Sequence, residues 1–147
     1  MKKSLNKAEL NDLLGIINKA LDEGKVVAVI GNNVAFEPVV EDMIKPDSYS
    51  YLYINLSEES NLFEIQVKIL LGGEYDGIMI DNIDKIWDKD KERRLQFTKA
   101  AYEKTFYSID NGRAINFKDL RVLLSGVKWP DYLSPEIDNC MLMEFPF

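Results

Sequence analysis

Histidine is absent from this chain of 147 residues. With it go the side chain most often used as a general base near neutral pH and the commonest metal ligand. Cysteine occurs once, as Cys140, so no intrachain disulfide can form. A single thiol beside an apolar run is expected to be buried and unreactive, and the lack of a cysteine framework suits a reducing compartment. No apolar run approaches the roughly 20 residues needed to span a bilayer. The N-terminal Met1-Lys2-Lys3-Ser4 leads into an amphipathic stretch, without an apolar signal core. These absences predict a cytoplasmic protein with no membrane segment.

What remains is ordinary for a globular domain: 46% apolar and 29% charged residues. The length suits one domain, 1–147, burying roughly 70% of the surface its unfolded chain would expose. The formal net charge is -7, which disfavours general binding to phosphate backbones. The acidity is uneven. Residues 37–76 carry nine acids and two lysines, whereas Asp84 to Lys104 carry seven basic and five acidic residues. The basic stretch is interleaved with acids, as on a solvated helix with paired charges. Binding of DNA through Lys85 to Lys104 is the less favoured reading.

Leu10, Leu13, Leu14, Ile17 and Leu21 recur at helical spacing, with Asn6 and Glu9 as a capping box and Gly24 as a stop. Gly15 within this helix suggests a close packing contact. Residues 25–30 form a continuous apolar, β-branched run, as required of a strand covered on both faces. A turn at Gly31, Asn32 and Asn33 precedes a predicted helix over 36–44. Further strands are predicted over 49–55, where alternating tyrosines suit a sheet edge, and over 77–81, 120–125 and 140–145. A helix with Leu62, Ile65 and Ile69 on its apolar face separates the second and third strands. A long amphipathic segment, 85–107, follows the third. Asp110 to Arg113 is a turn signal, and 128–139 read as loop. Strands alternating with helices imply right-handed crossovers and a three-layer αβα domain with a mostly parallel sheet.

This order, together with GIMIDNIDK over residues 77–85, resembles the core of a P-loop NTPase, most nearly the AAA+ ATPase branch. The resemblance implies a five-stranded sheet in the order 5-1-4-3-2. It places the Mg²⁺-shell acid of a Walker B strand on Asp81, and the water-polarising acid on Asn82, which has no carboxylate; Asp84 is the available substitute. A polar sensor falls on Ser125. The Walker A pattern, laid on Gly31, puts Phe36 at the second glycine, Glu37 at the phosphate-binding lysine and Pro38 at the Mg²⁺-binding hydroxyl. Asn32 and Asn33 remain in a turn whose length survives without its chemistry. Two unit charges of like sign repel by about 4 kcal/mol at close range in a protein-like dielectric, more than the ~0.3–1 kcal/mol a helix dipole contributes. Glu37 therefore opposes a triphosphate. The segment Val34-Ala35-Phe36 is expected to fill the cradle itself. No arginine occurs over 127–139, only Lys128, and Arg113 does not match the family's trans-acting position. A helical lid is not expected.

The sequence thus predicts a degenerate P-loop-like domain without cofactor or catalytic residues. Its expected role is to bind an unidentified protein, or a second copy, as an interaction or accessory module. Trp129 and Tyr132, close together in a loop, are candidate interface anchors, or else cover the end of the sheet. The enzyme alternative is a weak nucleotide- and Mg²⁺-dependent activity through Asp81 and Asp84.

Overall fold

A computed structural model describes residues 7–31, 50–57, 62–86, 89–110, 112–134 and 140–144. The predicted helix over 36–44, the Asn6 cap, and the Walker A counterparts Asn32, Asn33, Phe36, Glu37 and Pro38 lie outside them.

Helix α1 (Lys7–Asp22) precedes strand β1 (Val26–Ile30); β2 (Tyr51–Asn55), α2 (Leu62–Leu71) and β3 (Gly77–Asp81) follow. Next come α3 (Lys91–Glu103), the hairpin strands β4 (Phe106–Asp110) and β5 (Arg113–Asn116), a 3-10 turn over 117–119, β6 (Arg121–Gly126) and β7 (Cys140–Glu144). Five strands form one sheet in the order β2-β3-β6-β1-β7, every pairing parallel. The two central strands β1 and β6 are buried along almost their whole length, as expected where both faces are covered.

Side-chain alternation assigns the two faces. Val26, Ala28, Ile30, Ile54, Ile78, Ile80, Val122 and Leu124 join the larger core with residues of α2, α3 and the hairpin. Val27, Val29, Tyr51, Met79 and Leu123 form the smaller core with Leu13, Ile17, Ala20 and Leu21 of α1. The result is a three-layer α/β arrangement.

Several expectations change. Ile65 and Ile69 are exposed, and α2 instead buries Phe63, Gln66, Val67 and Leu70. This helix is apolar on more than one side, so periodicity alone could not select the inward face. The stripe that meets Phe97 of α3 prevails, through Phe63. The amphipathic stretch 85–107 is helical only over 91–103. Lys104 adopts left-handed φ/ψ (56°, 47°) and its N–H satisfies the Ala100 and Ala101 carbonyls, while its ammonium donates to the Leu120 carbonyl. Phe106, expected on the helix, begins β4. The hairpin was legible in principle, since the turn at Asp110 to Arg113 is flanked by short alternating runs. Cys140 is half-buried, and burial pushes its thiol up to about 11.

Gly15 is exposed, and a Cβ there would meet nothing within 4 Å. It lies opposite the face formed by Leu13, Ile17 and Ala20, so it serves no close contact. Gly15→Ala is expected to raise stability by about 0.5–1 kcal/mol through backbone entropy alone, measured as a higher urea midpoint with an unchanged slope.

Candidate functional site at the C-terminal edge of the sheet

Parallel strands ending side by side place their loops on one edge, where open α/β sheets bind ligands. Here β1 ends at Gly31, whose N–H donates to the Gly126 carbonyl at 2.9 Å. β3 ends at Asp81, β6 at Ser125 and Gly126, and β2 at Asn55, which stands in register with Asp81. The fold therefore brings three sequence-predicted residues, Asp81, Asn82 and Ser125, into one cluster.

Both oxygens of the Asp81 carboxylate are engaged. The Ser125 hydroxyl donates to Oδ1 at 2.6 Å and the Asn82 backbone N–H to the same oxygen at 2.7 Å. The Tyr53 hydroxyl donates to Oδ2 at 2.6 Å. Three strands, β2, β3 and β6, are thus tied at their C-terminal ends by one carboxylate. The backbone continues the tie: the N–H groups of Leu56 and Ile83 donate to the carbonyls of Asp81 and Ser125 at 3.1 and 3.0 Å.

Asn82 has φ 58°, a left-handed conformation that Asn tolerates better than most residues. Its amide donates to Asn55 Oδ1 at 2.8 Å and to Ser57 Oγ at 3.3 Å, and Asn55 Oδ1 also accepts from the Ser57 N–H and hydroxyl. Position 82 thus holds a neutral amide absorbed in a side-chain network.

Asp84, the candidate substitute, turns elsewhere. Its Oδ1 accepts from the Val127 N–H at 3.0 Å and lies against Gly126, where a Cβ would approach it to 2.5 Å. A side chain at position 126 would push the Asp84 carboxylate away from the Val127 N–H. Tyr53 belongs to the α1-side core, and Asp81 meets it there. Ile83, the neighbour of Asp84, belongs to the other core. The two carboxylates thus have different partners: Asp81 accepts from Tyr53, Asn82 and Ser125, and Asp84 from Val127. Among the described residues no group of three His, Cys, Asp or Glu side chains could hold a metal ion.

Tyr132 ties the loop after β6 to the residues following β3, and Trp129 packs it against α3. Trp129 meets Tyr102 edge-on, with ring centroids 5.6 Å apart, and its indole N–H donates to the Leu133 carbonyl at 2.8 Å. The Tyr132 hydroxyl donates to the Ile83 carbonyl at 2.8 Å, and burial holds this phenol protonated well above its ordinary range. Sequence reasoning missed Tyr53 and Asn55 as members of the cluster. Only strand pairing brings them to Asp81, and no local motif signals it.

The basic stretch is partly consumed internally. Arg93 pairs with Glu64 at 2.5 Å. Arg94 is 2% exposed, donates to the Leu56 carbonyl at 2.6 Å and lies 5.2 Å from the centre of the Phe63 ring. No helix among the described residues is long and apolar enough to cross a membrane. Comparison with known proteins finds no family model that matches the sequence and no curated protein that matches it either.

Proposed function

We infer that this chain is a non-hydrolytic P-loop-like domain, acting as a protein-interaction or accessory module. With the hairpin set aside as an insertion, the five sheet strands taken in chain order stand 2-3-4-1-5 across the sheet. Read from the other edge this is 5-1-4-3-2, the arrangement of the AAA+-like core, and it supports the resemblance carried by Asp81 and Ser125. The observation that carries the non-hydrolytic reading is the occupied Asp81 carboxylate. Both oxygens accept from internal donors, and Asn82 beside it offers no base. Three of the roughly four acceptor sites of this carboxylate are taken, so a Mg²⁺ shell at Asp81 would compete with the Tyr53 and Ser125 hydroxyls. A fold of this kind constrains its partner little; the partner proposed is another protein or a second copy of the chain. A DNA-binding role is the weaker reading, because Arg93, Arg94 and Lys104 are spent on Glu64, Leu56 and Leu120.

Incubated with ATP and Mg²⁺, the purified chain is expected to release phosphate no faster than buffer, and Asp81→Ala is expected to make no difference. Turnover by the wild type that Asp81→Ala abolishes would overturn the reading.

A further inference from the structure

A cleft of about 560 Å³ opens beside the ends of β3 and β6, lined by residues 83–86 after β3, by Lys91 and Leu95 of α3 and by residues 128–132 after β6. We propose that it binds a small anionic ligand built on a planar ring, an aryl phosphate or aryl carboxylate, held between Lys85, Lys91 and Lys128 and the Trp129 ring. Its lining includes Asp84 and none of Tyr53, Asn55, Asp81, Asn82 and Ser125 of the Asp81 cluster.

Volume, position and charge support the site. Its volume falls in the ~300–1,000 Å³ range of small-molecule sites. Its position at the C-terminal ends of parallel strands is where such folds hold ligands. Its charge runs against that of the chain: Lys85, Lys91 and Lys128 come from three separate segments, are exposed, and their ammonium groups make no ion pair with any described residue. Of the two acids in the lining, Asp84 already accepts from the Val127 N–H and Asp131 is exposed. Three cations against two carboxylates make a locally positive cleft in a protein of net charge -7, and such a cleft concentrates anions.

The aromatic wall is rigid before any ligand arrives. The Trp129 indole N–H and Tyr132 hydroxyl are both committed to backbone carbonyls. What they offer a ligand is therefore ring surface, not donors, and Leu95 and Ile86 extend it. Ring surface selects a flat apolar body, the ammonium groups select the anion, and a wall fixed in advance lowers the ordering cost of binding. A nucleic-acid strand fits less well, because the acidic remainder of the chain repels a polyanion.

The test is a titration of the full-length ¹⁵N-labelled chain with phenyl phosphate, followed by amide and indole shifts. Saturable shifts are expected at Lys85, Ile86, Lys128 to Tyr132 and the Trp129 indole, with inorganic phosphate and benzyl alcohol each at least about tenfold weaker. Lys85→Gln combined with Lys128→Gln should weaken phenyl phosphate by about tenfold or more, given the loss of two cations, at an unchanged melting temperature. Four outcomes would overturn the proposal: shifts that do not saturate at millimolar ligand, equal binding of inorganic phosphate, indifference to the lysine substitutions, or tighter binding of a single-stranded oligonucleotide. None of these measures ATP turnover, so the non-hydrolytic reading stands or falls separately.

Discussion

Asp81→Ala is expected to lower the unfolding free energy by about 3 kcal/mol or more, since hydrogen bonds to a charged acceptor contribute ~1.5–3 kcal/mol each and do not add fully. The substitution strands three donors at once: the hydroxyls of Tyr53 and Ser125 and the N–H of Asn82. Ser125 is 3% exposed, so little water can replace its lost acceptor. Asp81→Asn keeps one acceptor oxygen and should cost about half as much. Urea unfolding of the two variants and the wild type, with melting temperatures alongside, decides the matter. An Asp81→Ala variant more stable than wild type would mean that the carboxylate is held at a cost, as functional groups often are. The structural account of the cluster would then fail.

Phe97→Ala should be the more damaging change, costing about 4–5 kcal/mol at the upper end of the range for a fully buried aromatic. Phe97 is 0% exposed and meets three rings edge-on: Phe63 of α2 at 5.2 Å, and Tyr107 of the hairpin and Phe117 of the following turn at 5.3 Å each. Edge-to-face pairs add ~0.5–1.5 kcal/mol apiece beyond area, and deletion removes all three. Because Phe97 joins the hairpin to α2 and the sheet, hydrogen exchange in the variant should rise first over 106–117. Tyr107→Ala, at the periphery of the same cluster, should cost less and leave exchange in β3 and β6 unchanged. Uniform loss of protection in the Phe97 variant would show that the hairpin is not a separable unit.

The parts of the fold that were legible in the sequence are those written in local pattern. The runs 25–30, 77–81 and 120–125 read as buried strands because both faces of each strand are covered, so no alternation was needed to recognise them. The hairpin escaped because Phe106 and Tyr107 continue the aromatic spacing of α3 across Lys104, whose left-handed conformation ends the helix without a glycine. The inward face of α2 escaped because Ile65 and Phe63 compete at equal hydrophobicity, and the choice lies with Phe97, thirty-odd residues away. At the sheet edge, Asp81, Asn82 and Ser125 were visible as motif positions. Tyr53 and Asn55 were not, since their membership is set by the parallel register of β2 on β3. The different partners of Asp84 and Asp81 were equally hidden: three residues of sequence say nothing about which donors each carboxylate meets.

The order β2-β3-β6-β1-β7 also has a consequence for the nascent chain. β1 emerges first among the strands, yet both of its neighbours, β6 and β7, come from the far end of the sequence. At ~5–20 residues per second of synthesis, the roughly ninety residues between β1 and β6 leave Val26 to Ile30 without a sheet partner for about 5–20 s. During that interval the chain holds an uncharged, β-branched pentapeptide of the type that pairs with copies of itself. Helix α1, made just before it and closing onto the same strand in the finished domain, is the first element able to shield its Val27 and Val29 face while translation proceeds.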